Sequence, residues 1–145
     1  MKRIARSAIV DRPASALYAL VEDIESYPRF LPWCHSAHVH ERGPGLTRAT
    51  LTVGLKGIRQ SFTTENTNRP AEAIDMRLVK GPFRRFSAAW RFHALAGHAA
   101  RVEFSLEYEF AGRMVAAALE PLFDRIADTM LDAFVRRAHA VHGHA

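Results

Sequence analysis

From Ala49 to Phe110 the apolar residues return at every second position, in segments broken by turns; beyond Gly112 they return at every third or fourth. A period of two belongs to a strand with one buried face, and a period of 3.6 to a helix. A chain that lays down a series of strands and then one long helix has few ways to bury them. The strands form a sheet with one apolar face, and the helix is the element available to cover it. Ala49, Leu51, Val53 and Leu55 open the pattern, and Ile58, Gln60, Phe62 and Thr64 continue it. Ile74, Met76 and Leu78 follow, then Phe86, Ala88, Trp90 and Phe92, then Val102, Phe104, Leu106, Tyr108 and Phe110. Turns are signalled at Gly43-Pro44-Gly45, Gly54–Gly57, Asn68-Arg69-Pro70, Gly81-Pro82 and Gly97. The alternate positions of the last strand, Arg101, Glu103, Ser105, Glu107 and Glu109, are polar. One wet face and one dry face is what an antiparallel sheet permits.

Residues 113–141 carry the longest helical pattern, with Leu119, Leu122, Phe123, Ile126, Met130, Phe134 and Ala138 on one stripe. Unbroken, it measures on the order of 40 Å at 1.5 Å per residue. Pro121 lies inside it and is expected to kink the helix or mark its restart. At the other end of the chain, residues 3–10 read as a strand, and Asp11-Arg12-Pro13 stops it and starts a helix. Leu17, Leu20, Val21 and Ile24 give that helix its apolar stripe. Residues 35–42 read as a further strand.

Between this helix and this strand lies Tyr27-Pro28-Arg29-Phe30-Leu31-Pro32-Trp33-Cys34. It is too short and too rich in proline to read as a regular element, yet too apolar for a loop that merely crosses the surface. Such a corner either lids a cavity or plugs one end of the core.

The length of 145 residues suits one domain, 1–145. No apolar run reaches the roughly 20 residues of a membrane span. The basic start Met1–Ser7 lacks the apolar segment of a signal peptide. A single cysteine, Cys34, fits a reducing compartment. A cytoplasmic protein is expected, with peripheral contact at the inner membrane as the extension. The net charge of +5 favours acidic partners but is modest for a dedicated nucleic-acid binder, and no DNA partner is expected. Lys56 and Arg59, Lys80, Arg84 and Arg85, and Arg136 and Arg137 would serve ribosomal RNA or an anionic lipid surface. They read first as solvated charge at turns.

The chain resembles the ubiquinone-binding START-like proteins of the polyketide cyclase/dehydrase superfamily. The resemblance rests on Asp23–Pro28 running into Phe30-Leu31-Pro32-Trp33-Cys34, on Gly81-Pro82-Phe83 and on Trp90-Arg91-Phe92. Tyr108-Glu109-Phe110, Ala133-Phe134 and Arg137-Ala138 extend it in order along the chain. In bacteria the same family includes a proposed ribosome association toxin. The resemblance implies an α+β helix-grip fold, with a curved antiparallel sheet of about seven strands around a long C-terminal helix. It also implies a hydrophobic tunnel for a lipid such as a polyprenyl quinone, with no other cofactor required.

Under that implication the mouth would be formed by Tyr27, Phe30, Leu31 and Trp33. The sheet wall would be Phe62, Met76, Leu78, Phe86 and Trp90, and the helix wall Leu122, Phe123, Ile126 and Met130. Each is also readable as ordinary core. Placing a charge at Phe86 or Trp90 is expected to empty such a tunnel and leave the fold intact.

Three functions follow. The first is binding of an isoprenoid quinone for delivery in respiration or quinone synthesis. The second is attachment to a ribosomal subunit so as to block subunit association. The third, cyclase or aromatase chemistry, needs acid and base groups in the cavity. The inner face offers mainly Gln60, Thr64 and Tyr108, so no enzyme is expected. Cys34 and His35 would point to opposite faces of a strand, which separates a thiol from a base. His35, His38 and His40 do not converge with a carboxylate or cysteine, so no metal is expected. His139, His142 and His144 read as solvated. Oligomeric state is not legible.

Overall fold

The structure is a computed structural model that describes residues 1–142. Strand β1 (Lys2–Val10) leads into helix α1 (Ala14–Glu22) and a 3₁₀ turn over Ile24–Arg29. Six strands follow: β2 (Cys34–Gly43), β3 (Leu46–Leu55), β4 (Ile58–Arg69), β5 (Ala73–Lys80), β6 (Phe83–Ala94) and β7 (Ala100–Phe110). Helix α2 (Arg113–His142) closes the described chain. Of the terminal histidines read as solvated, His144 and the side chain of His142 lie outside the described residues.

All seven strands form one antiparallel sheet in the order β1-β7-β6-β5-β4-β3-β2. The meander β2 to β7 is what short turns between alternating segments produce. β1 joins by pairing with β7, Ile4 opposite Leu106 and Val10 opposite Ala100. The seven-stranded helix-grip architecture expected from the sequence is the one observed.

Two local expectations are corrected. The proline corner is partly regular, because Tyr27-Pro28-Arg29 completes a 3₁₀ turn that begins at Ile24. Such turns are short, and proline's missing donor costs little where the next bonds are made around it. The Leu31 N–H donates to the Tyr27 carbonyl at 2.9 Å, and the Cys34 N–H to the Leu31 carbonyl at 2.9 Å. Helix α2 runs without a break through Pro121, which rules out a restart there. The carbonyl that Pro121 leaves without a donor is that of Ala117, an exposed residue, so water meets it.

Arg42 on β2 fixes the corner from outside. Its guanidinium donates to Glu25 at 2.9 and 3.0 Å, to the Glu22 carboxylate at 2.8 Å and to the Glu22 carbonyl at 3.1 Å. The fork on Glu25 holds that carboxyl below its ordinary range.

The convex face of the sheet neutralises itself. Arg48 and Arg77 both reach Glu65, Arg91 reaches Asp75, Arg3 reaches Glu107 and Arg84 reaches Glu109. Exposed pairs of this kind are screened by solvent and contribute little, so stability resides in the other face. There Phe83, Tyr108, Phe110 and Phe123 pack at ring separations of 5.1–6.0 Å, with Phe62 and Phe86 beside them.

Within this cluster Tyr108 is 2% exposed, and its hydroxyl has no hydrogen-bond partner. An orphaned buried hydroxyl costs about 1–3 kcal/mol. Tyr108→Phe is therefore expected to stabilise the protein by about 1 kcal/mol. A lowered denaturation midpoint for that variant would show that the hydroxyl has a partner.

Candidate binding site

Beneath α2 the concave sheet leaves an apolar cavity of about 40 Å³. Its walls include Tyr27 and Trp33 from the corner, Phe62, Met76, Phe86 and Trp90 from the sheet, and Phe123, Ile126 and Met130 from α2. Nine of the thirteen residues expected from the sequence thus meet around one space. Leu51, Ala88, Phe104, Leu106 and Phe134 complete the lining. The first four continue strand alternations visible in the sequence, and Phe134 lies on the apolar stripe of α2.

Four expected residues stand elsewhere. Leu31 is fully buried and Leu122 nearly so, but both pack in the core away from the cavity. Leu78 is half-buried against the core margin, beside the turn at Gly81. Phe30 packs edge-on against Tyr27 and Phe134, with the Arg137 guanidinium 5.2 Å above its ring. The corner therefore caps the cavity on its own side in this structure. Tyr27, Leu31 and Trp33 are buried, the Tyr27 hydroxyl donates to the Val21 carbonyl, and Trp33 Nε1–H donates to Thr129 Oγ1 at 3.2 Å.

A space of about 40 Å³ exceeds the roughly 10–15 Å³ one water needs and falls far short of the ~300–1,000 Å³ of ligand pockets. The walls also differ in tolerance. Trp90 is 2% exposed and wedged among Phe92, Phe104 and Phe134, whereas Phe86 is only half-buried. The expectation that a charge at Trp90 leaves the fold intact does not fit this packing.

The chemistry of the lining is inert. Its one ionisable group is the Tyr27 phenol, whose ionisation burial pushes far above the ordinary tyrosine range. Burial also pushes the Cys34 thiol up to about 11, and it donates to the Ser36 carbonyl at 3.5 Å. At neutral pH it is a protonated thiol, which is a poor nucleophile. His35, His38 and His40 are exposed on β2, where His38 and His40 meet edge-on at 4.6 Å. No group of three or more metal-ligating side chains converges among the described residues. No described helix is long and apolar enough to cross a membrane.

A second recess opens on the surface. This cleft of about 300 Å³ lies between α2 and the start of β2, lined by Pro32, Trp33, Gly54, Leu55, Arg125, Thr129, Ala133 and Arg136. At its edge, close packing of β3 against its neighbours requires glycine at position 54. A Cβ there would lie 2.8 Å from the Ile58 carbonyl oxygen and 2.5 Å from the His35 ring. The Gly54 N–H donates to the Trp33 carbonyl at 2.8 Å, tying the corner to the end of β3. Trp33 is the one residue that lines both this cleft and the inner cavity. Of the basic positions picked from the sequence, Arg136 lies in the cleft and Arg84 is engaged with Glu109. Arg125, which sequence reasoning passed over, faces Arg136 along the helix.

Residues 10–135 match the family described as polyketide cyclase / dehydrase and lipid transport. Among curated proteins the chain is similar to the ribosome association toxin RatA of Pseudomonas aeruginosa, 44% identical over 97% of each chain. It is also similar to the mitochondrial coenzyme Q-binding protein coq10 of Schizosaccharomyces pombe, 28% identical over 94% of this chain and 86% of that one. Among solved structures the Zhui aromatase/cyclase from Streptomyces sp. R1128 superposes with a TM-score of 0.83. It covers 94% of this chain and 93% of its own at 18% identity, a likeness of fold.

Proposed function

The chain belongs to the polyketide cyclase / dehydrase and lipid transport family, and from that premise we propose that it is a binding protein of the ribosome association toxin kind. It attaches to a ribosomal subunit and hinders the joining of the two subunits. The observation that carries this reading is the small size of the cavity. A protein whose main task is to carry a quinone needs room for a ring and the start of a tail, and here aromatic side chains fill that room. The 44% identity with a ribosome association toxin over nearly the whole of both chains supports the same reading. No catalytic step is assigned, because the lining holds no acid–base pair to perform one.

The test is sedimentation with purified ribosomal subunits across a salt series. The protein is expected to pellet with one subunit at low salt and to be released as salt rises. Each phosphate contact on single-stranded RNA contributes about −0.7 to the slope of log affinity against log salt. Failure to pellet at the lowest salt would overturn the reading.

A second reading is retained because the cavity is lined almost wholly by apolar side chains and a coenzyme Q-binding protein is among the relatives. In it, the corner Tyr27–Trp33 swings away from α2 and admits the head of an isoprenoid quinone. Mass spectrometry of an organic extract from protein made in a quinone-producing host decides between them. Little or no co-purified lipid is expected. A polyprenyl quinone at one per chain would put the second reading first.

A further inference from the structure

We propose that the cleft between α2 and the Pro32–Trp33 corner grips a single-stranded segment of RNA, with one unpaired nucleotide seated in it and neighbouring phosphates held by Arg125 and Arg136. The inference deepens the ribosome-binding reading and rests on it.

Helix α2 is divided by charge along its length. Glu120, Asp124 and Asp128 recur every four residues on the flank that meets β1, where Lys2 pairs with Asp124 and Arg6 with Asp128 at 3.4 Å. On the cleft side Arg125 and Arg136 are exposed, and neither joins an ion pair among the described residues. No carboxylate lines the cleft. Asp132 lies nearby on the helix, exposed, and forms no ion pair with either arginine. Lys56, exposed at the tip of the β3–β4 turn, adds positive charge next to Leu55. A polyanion gains here because it does not have to displace an internal partner.

The shape selects among polyanions. Between the arginines lies a floor of Trp33 and Leu55 edged by Pro32. A free phosphate ion makes no use of that floor, and a lipid tail makes no use of two guanidinium groups three helical turns apart. At 1.5 Å per residue the two arginine backbones are separated by about 16 Å, a span of several nucleotides. The cleft volume of about 300 Å³ takes one base and its sugar. A duplex presents phosphates but keeps its bases stacked inside, whereas loops and bulges can splay a base into an apolar recess. Arginine is also the side chain suited to forked hydrogen bonds with phosphate oxygens.

The experiment compares the wild type, Arg125→Glu/Arg136→Glu, and the control Arg69→Glu/Arg101→Glu. The control changes net charge equally at exposed positions away from the cleft: Arg101 is on β7, four strands from β3, and Arg69 is at the end of β4 opposite to the one that pairs with Leu55. Binding to a fluorescent 12-nucleotide oligouridine and pelleting with ribosomal subunits are measured for each across a salt series, after thermal melts establish folding. The cleft variant is expected to lose at least about tenfold in RNA affinity and about 1.4 from the salt slope, at 0.7 per phosphate contact. It is also expected to stop pelleting, while the control keeps both activities. If the cleft variant does not fold, Arg125→Gln/Arg136→Gln replaces it, with the same loss expected.

Unchanged RNA affinity and slope in the folded cleft variant would overturn the cleft assignment and leave ribosome binding standing. Wild type that pellets with subunits but ignores the oligonucleotide would also overturn it. Wild type that binds the oligonucleotide through the two arginines but never pellets would instead defeat the ribosome reading.

Discussion

Phe123→Ala is expected to remove about 3–5 kcal/mol of stability, the range for truncating a fully buried phenylalanine. Phe123 is 1% exposed and stands where α2 meets the sheet. Its ring lies 5.1 Å from Phe83, 5.5 Å from Phe110, and 5.9 Å from both Phe62 and Tyr108. Four rings from three strands would lose a common neighbour, and the small cavity beside them would grow. A domain of this size has only about 5–15 kcal/mol to lose, so the variant should melt tens of degrees early or fail to accumulate. Equilibrium denaturation by urea gives the number. A loss below about 1.5 kcal/mol would mean that the walls collapse inward, and that the packing is softer than the ring distances indicate.

The second large effect separates two residues that look alike in sequence. Trp90→Glu is expected to unfold the protein, and Phe86→Glu to leave it folded. Both positions line the cavity on β6. Trp90 is almost sealed from water, stacked with Phe92 and edge-on to Phe134, so a glutamate there would be held among rings with no donor. The carboxyl would take up a proton rather than stay charged, and the site would still lose a large ring. Together these costs amount to several kcal/mol, comparable with the whole stability. Phe86 is half-buried, and a glutamate side chain there can turn its carboxylate toward water. Circular dichroism of the two purified variants decides the matter. A cooperative melt at the wild-type temperature for Trp90→Glu would show that its ring is less enclosed than described.

The pairing of strands was legible because period-two alternation fixes which face is dry, and the turn residues cut the segments cleanly. The strand that carries Ala49, Leu51, Val53 and Leu55 lies where expected because the turns signalled at Gly43-Pro44-Gly45 and Gly54–Gly57 bracket it. The corner was less legible. Pro28 and Pro32 signal irregularity, but a 3₁₀ turn depends on bonds such as Leu31 to Tyr27 that composition does not announce. Cavity volume was beyond reach for a different reason. It is a small difference between the space under a curved sheet and the summed bulk of the rings that fill it, and alternation reports only which way those rings point. The surface cleft was missed because three distant segments make it. Arg125 carries no signal on its own and acquires one only when Trp33 and Gly54 are brought beside it.

The register of β1 against β7 bears on how the molecule comes into being. Lys2 lies opposite Tyr108 and Val10 opposite Ala100, and β1 has no other strand to pair with. The first strand made must therefore wait for the last. Closing so long a loop is entropically costly, and topologies of this kind fold in milliseconds to seconds rather than microseconds. Helix α1 waits as well, since Tyr18 packs on Phe92 of β6 at 5.8 Å. Because synthesis is directional, a chain still being made holds a meander without its flanking strand and without α2 to cover it. Neither the cavity nor the arginine cleft exists at that stage. Whatever this protein binds, it binds only as a finished molecule, and a nascent copy is inert toward its target.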